Sequence, residues 1–186
     1  MHAVAPALAH YAQSRLFSDV WKRQDLSARD RSIVTLAAWI AHYQATEIPY
    51  YINLALDDNV KASEVSEIIT HLAFYSGWRN ATSAASAAKQ VFTKRGAKPH
   101  QLPQASEKPL TLDEVAEAQR ATRVGQDFGA VAAEVVEYTA ETLFRDLWRR
   151  PGIAPRDRSL VTASALVTSG QVAQIPSIST WPWTTV

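Results

Sequence analysis

Ser27-Ala28-Arg29-Asp30-Arg31-Ser32-Ile33-Val34-Thr35-Leu36-Ala37-Ala38-Trp39-Ile40-Ala41 reads as one amphipathic helix with its own start signal. Ser27 followed by Asp30 three residues on is a capping-box-like opening. Ile33, Leu36, Ala37, Ile40 and Ala41 then recur at the spacing that puts them on one helical face. The heart of this stretch occurs twice. Arg29-Asp30-Arg31-Ser32 with Val34-Thr35 returns 127 residues later as Arg156-Asp157-Arg158-Ser159 with Val161-Thr162. At the same offset Tyr11 matches Tyr138, Leu16-Phe17 matches Leu143-Phe144, Asp19 matches Asp146 and Trp21 matches Trp148. Gln44 and Ile48-Pro49 recur as Gln171 and Ile175-Pro176. A gapless run from residues 3–49 to 130–176 that includes a tryptophan pair marks an internal repeat.

Outward from the first copy, the helical pattern continues. A second helix is expected to begin near Glu47, with Pro49 tolerated in its first turn and Ile48, Tyr51, Ile52, Ala55 and Leu56 as its apolar stripe. Asp57-Asp58-Asn59 closes it. Ser63 is expected to cap a third helix, with Glu64 and Glu67 in its first turn and Val65, Ile68, Ile69 and Leu72 facing inward. Gly77 ends that helix, and Asn80 is expected to cap a fourth, alanine-rich one. Residues 97–109, with three prolines, form a linker, and Thr111 with Glu114 opens a short helix before the second copy. No period-two alternation appears, so the expected fold is all-α. One complete module spans residues 1–98, a linker with a short helix spans 99–128, and the first part of a second module spans 129–186. The second copy is expected to be truncated, since residues 50–98 would be answered by 177–225 and Pro182 would break the corresponding helix. A short tail packed through Trp181 and Trp183 is the alternative.

Composition narrows the function classes. Nineteen basic and 18 acidic residues give a formal charge of +1, without a basic run or an aromatic–basic stripe, which argues against nucleic acid as a partner. The absence of cysteine removes disulfides, zinc–thiolate sites and thiol nucleophiles. The N-terminal stretch lacks the pattern of a signal peptide, and no segment approaches the roughly 18 apolar residues of a membrane span. A soluble, cytoplasmic protein is expected.

Three segments together resemble the carboxymuconolactone decarboxylase family within the alkylhydroperoxidase-like superfamily. They are Ala28-Arg29-Asp30-Arg31-Ser32 with Val34-Thr35; Glu47-Ile48-Pro49-Tyr50-Tyr51 with Ala55-Leu56-Asp57-Asp58-Asn59; and the run from Glu64 to Trp78. The resemblance implies an alkylhydroperoxidase-like helical bundle built on a helical hairpin and assembled as a trimer or hexamer. It also implies cofactor-independent decarboxylation of an anionic lactone-type metabolite. Thiol peroxidase chemistry, used elsewhere in the superfamily, is removed by the missing cysteines.

On that resemblance Glu47 takes the family's carboxylate position. Tyr51 stands where the family motif usually places a histidine, one turn along the same face. A phenol with an unperturbed pKa near ~10 is a poor general acid or base at neutral pH, so His71 is the substitute. The expected catalytic set is therefore Glu47, His71 and Tyr51, with Arg31, Tyr75, Trp78 and His42 expected to bind substrate. Three bland readings stand beside it. His71 can be a histidine held by a backbone or carboxylate partner. His42 can serve as a helix C-terminal partner. Arg29 and Arg31, which recur as Arg156 and Arg158, can form a structural ion-pair network with Asp30 and Asp157. Glu64, Glu67 and His71 have ligand-like spacing, but acids in a first turn are ordinary dipole partners, so neither a metal nor a cofactor is expected. The rival function is a non-catalytic oligomeric module.

Overall fold

The computed structural model describes residues 2–176. Among these residues the elements are helices and turns, with no strand. The α-helices are α1 (Pro6–Tyr11), α2 (Ala28–Ala41), α3 (Ile48–Asp57), α4 (Ala62–Ser76), α5 (Trp78–Arg95), α6 (Glu114–Tyr138) and α7 (Pro155–Thr168). The all-α expectation holds. No helix among the described residues is long and apolar enough to cross a membrane. The roles expected of Trp181, Pro182 and Trp183 fall outside the described residues.

The core follows the apolar periodicity. Ile33, Leu36 and Ile40 of α2, Ile48 and Ile52 of α3, and Val65, Ile68 and Leu72 of α4 are buried together. Small residues of α5 (Ala81, Ala84 and Ala88) let that helix lie close to α4. Val161 and Ala165 of α7 belong to the same core, so α7 packs against α2 and α4.

Helix starts show where local chemistry was ambiguous. Ser27 does cap α2, its hydroxyl accepting the Asp30 N–H at 3.0 Å. Helix α4, however, starts from Lys61 rather than Ser63. Glu64 accepts the Lys61 N–H at 2.8 Å, which places the helix start two positions before the expected serine cap. Helix α5 starts at Trp78, so Asn80 lies in its first turn and donates instead to the Ala41 carbonyl at 2.9 Å. Gly77 joins α4 to α5 in a single residue at φ 90°, a conformation suited to glycine. Asp113, not Thr111, caps α6, accepting from the N–H groups of Val115 and Ala116. That helix is long rather than short. It runs 25 residues, with a break at Ala132 (φ −148°, ψ 53°).

The break has a counterpart. Ala5, 127 residues earlier, has φ −141° and ψ 72° and precedes α1. Beyond it, the six-residue π-helical turns Ala12–Phe17 and Thr139–Phe144 correspond at the same offset, as do the 3₁₀ turns Val20–Lys22 and Leu147–Arg149 and the helices α2 and α7. Helices α2 and α7 pack on each other, and their first turns exchange ion pairs. Arg29 Nη1 donates to Asp157 Oδ2 at 2.8 Å, and Arg156 donates to Asp30, its Nη2 reaching Oδ2 at 3.1 Å. Each block thus contacts the other as the other contacts it, the pattern of a local two-fold relation.

Candidate functional site

The packing of α4 on α7 gathers a buried polar cluster. Glu67 and His71 lie one turn apart on the inward side of α4, facing Arg158 and Thr162, which lie one turn apart on α7. All four are essentially excluded from solvent. The Leu147–Arg149 turn adds Trp148, and the next residue, Arg150, closes one edge.

The contacts define the protonation states. Arg150 clasps the Glu67 carboxylate through Nη2 at 2.6 Å and Nε at 3.0 Å, and Arg158 Nη2 reaches its other oxygen at 3.3 Å. A guanidinium can only donate, so the 3.3 Å contact from Arg158 Nη1 requires a lone pair on His71 Nδ1. Thr162 spends its hydroxyl proton on the Arg158 carbonyl at 2.9 Å, leaving its oxygen to accept from His71 Nε2 at 2.7 Å. His71 is therefore a neutral imidazole protonated on Nε2. Burial, and next the Arg158 charge, hold its pKa well below the ordinary histidine value. Burial also lowers the pKa of Arg158, against the pull of Glu67. The hydrogen bond to Glu67 raises that of Arg150.

Tyr75, one turn after His71, stacks on its ring at 4.8 Å between centroids, and Trp148 meets the same ring edge-on at 5.1 Å. Trp148 Nε1 donates to the Tyr75 oxygen at 2.8 Å. Burial raises the Tyr75 pKa, so the phenol keeps its proton. Within the buried cluster two arginines oppose one carboxylate and a neutral imidazole, an excess positive charge that Asp146 and Glu107 offset in part at Arg150. Arg158 Nε is in addition a buried donor without an acceptor among the described residues, as is Arg31 Nε at the corresponding place in the first copy. Such a site favours an anion. Gly152 makes room for the Glu67 side chain: a Cβ there would strike that side chain and come within 3.0 Å of Pro103 Cγ.

The expected site residues divide. His71 and Tyr75 lie in this cluster. Glu47 is exposed at the N-cap position of α3, and His42 is exposed at the C-terminal end of α2. Tyr51 is half-buried on α3, its ring stacked on Trp39 at 5.0 Å, and burial raises its pKa. Trp78 is exposed at the start of α5, against Phe74. Arg31 donates to the carbonyls of Arg23, at 2.6 Å, and Leu26. The hydrogen bonds of His71 thus go to Thr162 and Arg158, not to Glu47 or Tyr51. The expected ion pairs with Asp30 and Asp157 are made by Arg156 and Arg29, whereas Arg158 pairs with Glu67 and Arg31 with backbone carbonyls. Glu67, read from sequence as a first-turn dipole partner, is instead a buried ion-pair carboxylate. Arg150, Arg158, Trp148 and Thr162 were missed as its companions, although all four sit in the repeated stretch, matching Arg23, Arg31, Trp21 and Thr35. A separate groove of about 600 Å³ between α4, α5 and the chain after α5, lined by Ile69, Ala88, Lys89, Phe92 and Lys98, holds none of the expected site residues.

The class defined so far is an all-helical bundle with a buried cationic cluster shared between α4 and α7. Comparison with known proteins adds a family likeness for part of it. Residues 6–90 match the sequence model of the Carboxymuconolactone decarboxylase family. The 4-carboxymuconolactone decarboxylase of Acinetobacter baylyi is 28% identical over 86 residues, 46% of this chain, and the chain spans 64% of that relative's length. The matched region includes Glu47, Glu67 and His71, while Arg150, Arg158 and Thr162 lie beyond it.

Proposed function

We propose that the chain is a carboxymuconolactone decarboxylase-like protein performing cofactor-independent acid/base chemistry, in its concrete form decarboxylation, on a small anionic lactone-type metabolite. The observation that carries the reading is the excess positive charge at Glu67, His71, Arg150 and Arg158, beside a phenol that retains its proton. The likeness of residues 6–90 to the family supports it. When carbon dioxide leaves a carbon conjugated to a lactone carbonyl, the bonding pair delocalises onto the carbonyl oxygen as an enolate, and a proton must then reach carbon. The arginines stabilise the negative charge before and after bond breaking. Tyr75 keeps its proton and donates a hydrogen bond to the enolate oxygen from the half-buried edge of the cluster. The family resemblance assigns the proton shuttle to Glu47, which is exposed on α3 outside this cluster, so the two positions are tested by separate variants.

A second reading, a non-catalytic module within a homo-oligomer, has its own observation. Both His71 nitrogens are already engaged and the ring is buried. Ultraviolet-monitored turnover of 4-carboxymuconolactone separates the two readings, with Glu67→Gln and Glu47→Gln run alongside and their folding checked by circular dichroism. Loss in the first variant alone locates the chemistry at α4 and α7, and loss in the second locates it at α3. No turnover by the unmodified chain above either variant leaves the module reading. Within this proposal residues 129–186 form the first part of a second copy of the module, the resemblance carries trimeric or hexameric assembly, and the chain works in the cytoplasm.

A further inference from the structure

The two repeated stretches are equivalent in backbone but unequal in cover. Phe144, Leu147 and Ile153 are 7%, 2% and 2% exposed beneath the packing of the second stretch. Their counterparts Phe17, Val20 and Leu26 are 49%, 46% and 37% exposed. The same holds in the centre. Arg158 and Thr162 are buried against Glu67 and His71, while Arg31 and Thr35 are only half-buried. Trp148 gives its indole N–H to Tyr75, whereas that of Trp21 finds no acceptor among the described residues. The anchoring of the arginine is nevertheless already in place, since Arg31 holds the Arg23 carbonyl as Arg158 holds the Arg150 carbonyl.

We infer that the face formed by Phe17, Val20, Trp21, Leu26, Arg31 and Thr35 is a docking cleft for an amphipathic helix of α4 type. That helix presents a carboxylate to Arg31 and, two turns further on, a ring to Trp21. The occupant follows from the sister face, where this backbone already accepts Glu67 and Tyr75 from α4. Charge complementarity points the same way, because the cleft offers a guanidinium with no carboxylate partner among the described residues. A second copy meeting this face with the same face would set Arg31 against Arg31 and is disfavoured. The chain's own α4 is committed to α7.

The test is binding of a labelled peptide spanning residues 61–96, the α4–α5 hairpin, held helical by staples on its solvent face and verified by circular dichroism, to the full chain by fluorescence anisotropy, with sedimentation of the chain alone. Saturable binding is expected, weakened at least about tenfold by Arg31→Ala in the chain and by Glu67→Gln in the peptide. Val20→Asp, at a partly exposed position that leaves the core intact, gives the same weakening should Arg31→Ala unfold. Absence of binding overturns the inference, as does binding indifferent to both chain variants. Self-association abolished by Val20→Asp would also overturn it, assigning the face to a second copy.

Discussion

Replacing Glu67 by glutamine removes a charge while keeping the side chain's shape. Its carboxylate is 1% exposed and faces Arg158, which is fully buried, and Arg150, whose side chain is 12% exposed. In the variant two guanidinium groups remain against a neutral amide that can accept from them but cannot balance them. Breaking a buried pair by removing one partner destabilises by about 3–5 kcal/mol. The wider opening at Arg150 argues for the lower end, about 3 kcal/mol. For a chain of this size that corresponds to a fall in Tm of roughly 6–12 °C. Urea unfolding with an unchanged m-value and scanning calorimetry measure it. The origin of the loss is tested by adding Arg158→Met. If a stranded charge is responsible, the double variant is more stable than the sum of the two single effects by about 1–3 kcal/mol. A loss under about 1 kcal/mol for Glu67→Gln, or strict additivity with Arg158→Met, would refute the claim that the cluster is dry and mutually dependent.

Further outcomes follow from the same geometry. The pKa of His71 is depressed on folding, so between its folded value and ~6.5 the unfolded chain binds more protons. Its contribution to stability is present above about pH 6.5 and is lost as pH falls through that window. His71→Gln should flatten the stability–pH profile there, and ¹⁵N NMR should show the ring neutral and protonated on Nε2 at pH 7. Gly152→Ala drives a methyl into Glu67 and Pro103 and should destabilise by about 1–3 kcal/mol in chemical denaturation. Asp113→Ala removes the cap of α6 and should lower stability by about 1 kcal/mol, with loss of helical circular dichroism concentrated in that element.

The helices were legible because burial repeats at helical spacing: Ile33, Leu36 and Ile40, or Ile48 and Ile52, can face one core only as helices. Their starts were less so. Ser63, Asn80 and Thr111 all have cap chemistry, yet Glu64, Gly77 and Asp113 close the ends at neighbouring positions, and only backbone conformation selects between them. The cluster was half legible. His71 and Tyr75 stood out by type, but Glu67 looked like any first-turn acid, because its partners lie 83 and 91 residues away in sequence. No local signal reaches that far. The repeat singled out Arg158 only as a member of an ion-pair block, whose members divide their work: one arginine of each stretch holds the opposite aspartate, and the other turns inward or stays at its own carbonyls.

The exchanged ion pairs of α2 and α7 have a consequence for concentration. Two separate chains carrying the Arg-Asp-Arg-Ser block could pair about a two-fold axis in the same way, but only as far as mass action drives them together. Here residues 42–154 connect the partners covalently, so their encounter is intramolecular and does not depend on the concentration of the chain. The two blocks therefore stay paired at any dilution, and the α4–α7 cluster with them, whatever the abundance of the chain in its surroundings.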